Sequence, residues 1–389
     1  MRVEVGIIGG GPAGLLLAQL LDLAGISSAI LERRSRSHVL SRIRAGVLEL
    51  GTVDLLHRAG VASRLQAQGQ THRGFHIAAG EAMHRIDLAG LAEAHVTVYG
   101  QTEVTRDLYA ARDTAEGVIL DEAEDVTPHG FDTATPHITF RRQGAPGRID
   151  CAFIVGCDGF HGVSRASIPA AQRQEVERAY PFGWLGVLSE TPPVSDELIY
   201  AIGAGGFALC SMRSATLSRY YIQVPLGERV EDWPDARFWG ALRQNLPSSI
   251  GERLVTGASI EKSIAPLRSF VTQPLRHGRL FLAGDAAHIV PPTGAKGLNL
   301  AASDIHYLSE ALIAFYSTGE ETLLAAYSER ALARVWKSVR FSWWMTNLLH
   351  RFPEDDAFTR RIKEAEMAYL LSSRAAQTVL AENYVGLSY

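Results

Sequence analysis

Glycines and one acidic residue near the start of the chain could bind a pyrophosphate and a ribose. Gly9, Gly11 and Gly14 form a GxGxxG pattern between a strand-like run and a helix-like run. This spacing permits a tight turn, close approach of a pyrophosphate and helix packing, and the helix N-terminus attracts phosphate. Glu32 ends the next strand-like run, where an acidic residue would bind ribose hydroxyls and repel a 2′-phosphate. The segment predicts a site for FAD or NAD, the alternative being an ordinary glycine turn.

Two later aspartates and one loop could complete such a site. Asp158 and Asp285 each follow a strand-like run and are flanked by glycine. Either could instead accept hydrogen bonds from its own turn. Residues 291–299 are rich in turn residues and lead into a helix, so their backbone N–H groups could stabilise negative charge. A plain helix-entry loop is the alternative for this segment.

A third group of residues could hold a carboxylate. Ser211 and Arg213 are two residues apart, and Tyr221 follows a short turn in a second run with the same alternation. On strands such residues point to one face of a sheet, where an Arg side chain forms charge-assisted hydrogen bonds with a carboxylate. From spacing alone, the alternative interpretation is a sheet that exposes its Arg to solvent.

The elements that must position these residues are of two kinds. Residues 5–14 and 26–31 predict a βαβ unit, whereas residues 74–98 and 181–266 show short strands separated by turns. After Asp285 the pattern becomes helical, with long candidates at 303–327 and 329–349. We therefore expect an α/β fold with an α+β insert: a Rossmann-like domain, an inserted antiparallel sheet and a C-terminal helical layer.

The expected domain limits follow these changes of pattern. Residues 1–180 would form the dinucleotide-binding domain, with 74–98 contributing to the substrate sheet, and residues 181–267 would form the substrate-binding sheet domain. Residues 268–290 would return to the first domain, and residues 291–389 would form the mostly helical region.

Composition narrows the class of partner. The 389 residues carry a formal net charge of −4, so no basic field favours nucleic acid or an anionic membrane. No apolar run reaches the roughly 20 residues of a spanning helix, and a strand-like run starts too early for a signal segment. Cys151, Cys157 and Cys210 form neither a CxxC pair nor a zinc-ligand spacing. We expect a cytoplasmic protein that acts on a small molecule, without a metal.

These motifs, in this order, resemble the single-component flavoprotein aromatic hydroxylases. The resemblance extends over residues 5–387 and is most specific at 42–49, 211–221, 291–299 and 382–384. It implies tightly but non-covalently bound FAD, NADPH or also NADH as a transient electron donor, dioxygen as co-substrate, and a homodimer. The cofactor-binding residues that it implies are Gly9, Gly11, Gly14, Glu32, Arg42, Arg44, Gln101, Asp285, Leu298 and Asn299.

The same resemblance implies where the nicotinamide cofactor binds. The residues concerned are Arg33, Arg34, His38, Arg42, Asp158, His161, Arg165 and Arg268. Arg33 and Arg34 could pair with a 2′-phosphate, which favours NADPH. A basic run is also commonly a solvated surface, and His38 stands where the family pattern has a tyrosine, so use of NADH stays open.

For the substrate, the resemblance is to the branch that converts 4-hydroxybenzoate to 3,4-dihydroxybenzoate through a flavin hydroperoxide. It implies that Ser211, Arg213 and Tyr221 bind the carboxylate, and that Tyr200, Tyr384 and the Pro292 carbonyl surround the phenol. Two tyrosine hydroxyls can relay a proton, and His72 would stand where this relay reaches solvent. The alternatives are a related phenolic-acid hydroxylase, an FAD-dependent halogenase or reductase on the same scaffold, and a non-enzymatic flavin or nucleotide sensor.

Overall fold

The computed structural model describes residues 1–41 and 46–389. Arg42 and Arg44, which the resemblance assigns to cofactor binding, lie outside the described residues.

The strands are numbered in chain order. They are β1 Val5–Ile8, β2 Ser28–Leu31, β3 Val47–Leu48, β4 Gln70–His72, β5 Gly74–Ala79, β6 Ala82–Asp87, β7 Val96–Val98, β8 Val118–Leu120, β9 Glu124–His129, β10 His137–Arg142, β11 Ala145–Asp150, β12 Phe153–Gly156, β13 Gln174–Ser189, β14 Ile199–Gly203, β15 Gly206–Ser214, β16 Leu217–Pro225, β17 Ser259–Gln273, β18 Arg276–His277, β19 Leu280–Leu282 and β20 His288–Ile289.

The α-helices are numbered in the same way. They are α1 Pro12–Leu23, α2 Arg36–Ser41, α3 Leu50–Arg58, α4 Ser63–Gln68, α5 Leu88–Ala92, α6 Gln101–Thr114, α7 Val163–Ser167, α8 Asp235–Gln244, α9 Ser248–Gly251, α10 Gly297–Thr318, α11 Thr322–Leu349, α12 Ala357–Ser372 and α13 Arg374–Val385.

The first sheet has the strand order β18-β19-β12-β1-β2-β8. From β19 to β8 its neighbours pair in parallel. All residues of β1, β2 and β12 are buried, as expected for strands covered on both faces. Along the chain the sheet grows from β1 through β2 to β8 and then continues on the other side of β1 with β12. Ligands of such sheets bind beyond the carboxyl ends of the strands at this reversal.

The second sheet has the order β20-β17-β13-β16-β15-β14-β5-β6. Its central strands are antiparallel, and their side chains alternate between two apolar layers. Trp184, Tyr200 and Tyr221 face the layer that also contains parts of α11, α12 and α13, whereas Tyr220 faces the opposite layer around α8. The helices that close the first layer thereby form one wall of any site on that face.

The fold class is confirmed, with corrections in detail. Of residues 74–98, β5 and β6 join the second sheet, but β7 belongs to a separate sheet of order β3-β7-β4. The C-terminal helices start and end elsewhere than expected: α10 ends before Gly319, whose φ of 77° favours glycine and terminates the helix. Because β13 and β17 run through positions 180 and 267, the proposed domain limits cut two continuous strands.

Among the described residues, no helix is both long enough and apolar enough to span a membrane.

Candidate active site

A cavity of about 740 Å³ lies beyond the carboxyl ends of β1, β12 and β19. The expected cofactor residues that line it are Gly9, Gly11, Glu32, Gln101, Asp285 and Leu298. Arg33, Asp158 and His161, expected to serve the nicotinamide cofactor, line it too. Residues that are far apart in sequence thus meet at the sheet edge where the topology predicts a dinucleotide.

Gly9, Gly11 and Gly14 fit a dinucleotide site, as shown by the atoms that a Cβ at each position would contact. A Cβ on Gly9 would lie 2.3 Å from the Cys157 carbonyl oxygen, and one on Gly14 would lie 2.1 Å from the Gly9 carbonyl oxygen. Both positions therefore need glycine for packing. At Gly11 an added Cβ would meet nothing within 4 Å, so it would project into open space that a pyrophosphate can occupy.

Glu32 is fixed at the rim of this cavity by its own loop. Its carboxylate accepts hydrogen bonds from the Gly10 N–H at 2.7 Å and the Arg34 N–H at 2.8 Å. Each carboxylate oxygen keeps further lone pairs for a ribose hydroxyl. The two backbone bonds hold the side chain in place before any ligand arrives.

Asp158 and Asn299 have structural tasks that the sequence did not reveal. One Asp158 oxygen accepts from the Ser164 N–H and hydroxyl, both at 2.9 Å, at the start of α7. The Asn299 amide binds the Val47 carbonyl, the Glu49 N–H and the Thr52 hydroxyl. Asn299 does not line the cavity. Its N–H, in the first turn of α10, is the group through which it could contact a flavin.

The residues expected to bind the nicotinamide cofactor occupy different settings. The guanidinium groups of Arg165 and Arg268 lie 4.7 Å and 4.6 Å from the centre of the Phe160 ring. Arg165 also donates to the Ala286 and Phe160 carbonyls, so much of its donor capacity is used. Arg34 and His38 are exposed. Their contribution to coenzyme binding stays a prediction.

Arg213 provides the cation of the second region. On β15 it follows Ser211, and the strand beside it, β16, places Tyr221 on the same sheet face. The Nε and Nη1 atoms of Arg213 are buried and have no hydrogen-bond partner within residues 1–41 and 46–389. Burial lowers the pKa of the Arg213 guanidinium, which the nearby Tyr221 hydroxyl partly offsets. A buried charge without a counter-charge is costly, so the site suits an anionic group.

Tyr200 and Tyr384 meet although 184 positions separate them. Their hydroxyl oxygens are 2.9 Å apart, and the Tyr200 hydroxyl donates to the Thr293 carbonyl at 3.0 Å. Because that bond uses the only Tyr200 proton, Tyr384 must donate to Tyr200. Burial raises the pKa of both phenols, so both are protonated at neutral pH.

The Pro292 carbonyl, which the resemblance places beside the substrate phenol, accepts the Ala295 N–H at 2.9 Å within its own turn. The neighbouring Thr293 carbonyl accepts from Tyr200. A contact between the Pro292 carbonyl and the phenol stays a prediction. Which of two successive carbonyls faces Tyr200 depends on the turn conformation, which the composition of the loop does not reveal.

His72 ends β4 and is buried rather than open to solvent, with a relative exposure of 2%. Burial lowers the pKa of its imidazole, which favours the neutral form. Neither ring nitrogen has a hydrogen-bond partner in the described part of the chain. An unpartnered neutral imidazole can accept a proton, but its place at the end of a relay stays a prediction.

Three further residues shape the substrate region without having been assigned a role from sequence. Gly186 pairs with Tyr221 across β13 and β16, and a Cβ there would lie 2.7 Å from the Tyr221 ring. The Arg219 guanidinium lies 5.1 Å from the centre of the Tyr221 ring. The Trp184 ring centre lies 5.2 Å from the centre of the same Tyr221 ring. The alternation that predicted Tyr221 also applies to Arg219. The contacts of Gly186 and Trp184 with Tyr221 depend on strand pairing, which the local pattern does not indicate.

In the described ranges, no group of three or more His, Cys, Asp or Glu side chains could hold a metal ion. The family model described as "FAD binding domain" matches residues 2–342. The chain therefore belongs to the family of FAD-binding monooxygenases, and FAD is its cofactor.

Among its relatives, p-hydroxybenzoate hydroxylase of Acinetobacter baylyi is 59% identical over 390 residues, covering 100% of this chain and 96% of the relative. A probable NADH-specific resorcinol 4-hydroxylase of Rhodococcus jostii is 24% identical, and the match covers 84% of this chain and 61% of the relative. The solved structure of p-nitrophenol 4-monooxygenase from Pseudomonas putida shares the fold, with a TM-score of 0.80, 18% identity and complete coverage of both chains.

Arg213→Ala should raise the KM for an aromatic carboxylate substrate about 10- to 100-fold, the effect of losing a charge-assisted hydrogen bond of roughly 1.5 to 3 kcal/mol. Bound FAD should be unchanged because Arg213 does not line the dinucleotide cavity. Steady-state kinetics and flavin absorbance measure both quantities. Arg229→Ala, which removes an exposed Arg paired with Asp232, is the matched control. An unchanged KM in Arg213→Ala would exclude this residue from the substrate site.

Tyr200→Phe should leave substrate affinity within a few fold but separate coenzyme oxidation from product formation. The variant loses the hydroxyl that joins Tyr384 to the Thr293 carbonyl, so a phenol proton has no route from the ring. The measurement is the yield of hydroxylated product and of hydrogen peroxide per coenzyme oxidised. Tyr220→Phe is the control, since Tyr220 is a buried tyrosine on the opposite face of the same sheet. Full coupling in Tyr200→Phe would contradict the relay.

Proposed function

We infer that the protein hydroxylates 4-hydroxybenzoate to 3,4-dihydroxybenzoate, with FAD as cofactor and NAD(P)H and dioxygen as co-substrates. The observation that carries this assignment is the arrangement beside one sheet face: two buried Arg213 nitrogens that lack a partner among the described residues, and a buried hydroxyl pair at Tyr200 and Tyr384. A molecule with a carboxylate at one end and a phenol at the other satisfies both. The 59% identity to p-hydroxybenzoate hydroxylase supports the same substrate.

Arg213, Ser211 and Tyr221 are proposed to bind the carboxylate. The Nε and Nη1 atoms of Arg213 can each donate a charge-assisted hydrogen bond to an anionic acceptor. The Ser211 hydroxyl donates only a long bond, at 3.3 Å, to its neighbouring Met212 carbonyl, so it can turn to a better acceptor. This end of the substrate sets its orientation, because only one end carries the negative charge.

Tyr200 and Tyr384 are proposed to move the phenol proton. Tyr200 accepts one hydrogen bond from Tyr384 and keeps a lone pair for the substrate hydroxyl. For the proton to leave, Tyr200 must turn its own hydrogen from the Thr293 carbonyl to the Tyr384 oxygen. Tyr384 must at the same time turn its hydrogen towards a further acceptor, and the neutral His72 is the proposed one. When bound, FAD supplies electron uptake from the nicotinamide and activation of dioxygen. Drawing the proton from the phenol makes the ring electron-rich at the position next to the hydroxyl.

NADPH is proposed as the electron donor, with NADH as a second donor. Arg33 lines the dinucleotide cavity together with His161, which brings two sequence-distant donors to one place. An exposed guanidinium at this position can pair with a 2′-phosphate.

A related phenolic acid is proposed as a secondary substrate, because one ring substituent more or less changes binding by only a few kcal/mol.

A homodimer is proposed from the exposed apolar side chains of α12. Phe358, Ile362 and Tyr369 are 73%, 53% and 60% exposed, and their spacing puts them on one side of the helix. An exposed apolar stripe of this kind favours burial against another protein surface.

Sedimentation should give about twice the chain mass. Ile362→Glu should lower the measured mass towards that of the monomer, with Arg361→Ala as the control on a neighbouring side of α12. A monomeric wild type would contradict the dimer.

The cytoplasm is the proposed location. Cys151, Cys157 and Cys210 are free thiols, which suits a reducing compartment. Fractionation of the native cells, followed by detection of the protein, checks this assignment.

The decisive experiment measures NADPH and NADH oxidation by the purified flavoprotein with and without 4-hydroxybenzoate, together with 3,4-dihydroxybenzoate and hydrogen peroxide. We expect oxidation to be stimulated by the substrate, with product matching coenzyme consumed and a lower KM for NADPH. If 4-hydroxybenzoate stimulates neither donor, the proposed substrate is wrong, and other phenolic acids must be screened against the same pocket.

A further inference from the structure

A buried histidine joins the C-terminal helical layer to the wall of the substrate region. His350 follows α11 and is 2% exposed. Its ring stacks on Phe182, with centroids 4.8 Å apart and planes 4° apart, and on Phe207, at 4.2 Å and 26°. No step of the proposed reaction uses this residue.

The hydrogen bonds of His350 fix its tautomer. The Trp184 indole Nε1–H lies 2.7 Å from the His350 Nε2, and an indole nitrogen can only donate. Nε2 must therefore accept, so the ring proton is on Nδ1 and is donated to the Thr346 carbonyl at 2.9 Å. Burial lowers the pKa of His350 to about 3, so the ring stays neutral and remains an acceptor at neutral pH.

Through Trp184, this acceptor reaches the proposed carboxylate end of the substrate. Trp184 lies on β13, stacks on Phe207 at 4.9 Å and lies 5.2 Å from the Tyr221 ring. Without a fixed acceptor, the buried indole N–H would lose a bond, and the ring could turn within the aromatic cluster. A turned indole would displace Tyr221, whose ring packs so closely over Gly186 that a Cβ there would lie 2.7 Å from it.

Through Thr346, the same histidine is tied to the phenol end. The Thr346 carbonyl accepts from His350, and the Thr346 hydroxyl lies 2.9 Å from the Thr293 hydroxyl. The Thr293 carbonyl is the acceptor for Tyr200. The contact with Trp184 is the more direct of the two connections, because it involves one hydrogen bond and one ring contact.

We propose that His350 is a positioning residue for substrate recognition, which acts by accepting the Trp184 indole N–H and thereby fixes the Tyr221 side of the carboxylate site. The proposal rests on the proposed function for its substrate, 4-hydroxybenzoate. A purely space-filling role is the competing explanation. The two differ in what they require at this position: an acceptor atom in the first case, and only volume in the second.

The test compares two substitutions that fill similar space. His350→Leu removes the acceptor, whereas the side-chain oxygen of His350→Gln can replace Nε2. We expect His350→Leu to raise both KM and the substrate dissociation constant about 5- to 10-fold with kcat within about twofold, and His350→Gln to restore most of the affinity. The dissociation constant is read from the flavin absorbance change on addition of 4-hydroxybenzoate, without coenzyme. Equal affinities in the two variants would overturn the proposal.

A double-substitution cycle tests the route through Trp184. In the Trp184→Phe background the indole donor is absent, so His350→Leu should change the substrate dissociation constant less than about twofold. The same loss in both backgrounds would overturn the proposal. If His350→Leu does not fold, the cycle is made with His350→Met, whose thioether is only a weak acceptor. His306→Gln, a half-buried histidine on α10 outside the site, controls for loss of an imidazole.

Failure of the proposed function is distinguishable from failure of this inference. If the wild-type protein does not bind or hydroxylate 4-hydroxybenzoate, the proposed function is wrong. The coupling between His350 and Trp184 can then still be measured as a non-additive change in the free energy of unfolding of the FAD-bound protein.

Discussion

The buried carboxylate of Glu49 holds together the parts of the chain on which the site depends. It accepts a hydrogen bond from the Lys296 ammonium group at 2.6 Å and from the Arg334 guanidinium at 2.7 Å. Lys296 also donates to the Tyr384 carbonyl, and Arg334 to the carbonyl of Leu387. One anion therefore ties the N-terminal unit to the loop before α10, to α11 and to the segment that carries Tyr384. Removal of the Glu49 carboxylate would leave the two buried cations without a counter-charge, at a cost of about 3–5 kcal/mol.

This connection explains how two sheets of different construction serve one reaction. The parallel sheet presents glycine turns and helix N-termini at its carboxyl edge, where a dinucleotide is bound through backbone groups. The antiparallel sheet presents alternating side chains on a face, where an aromatic acid can be oriented by its charge. Neither sheet contains the second tyrosine of the proposed relay. Tyr384 comes from α13, and it reaches Tyr200 only because the helical layer is packed against the sheet face.

The outcome at individual residues shows which inferences from sequence are safe. Glycine spacing and strand alternation are local properties, so Gly9 and Gly11 line the dinucleotide cavity, Gly14 packs against the Gly9 carbonyl, and Ser211 lies on β15 beside β16. Hydrogen-bond partners are less accessible from the sequence. The Asn299 amide binds other parts of the protein, and the carbonyl that accepts from Tyr200 belongs to Thr293. Such outcomes depend on which neighbours arrive from other elements, and no local pattern contains that information.

The sequence by itself determined the cofactor site, the order of the elements and the alternation that aims Arg213 and Tyr221 at one face, because these follow from backbone geometry over a few residues. Only the tertiary structure decided that two buried nitrogens of Arg213 lack a partner among the described residues, that Tyr384 donates to Tyr200, and that His350 accepts from Trp184. Each of these is a contact or a lack of contact between segments distant in the chain. The directions of these hydrogen bonds follow from the donor groups: a tyrosine hydroxyl has one proton to donate, and an indole nitrogen can only donate.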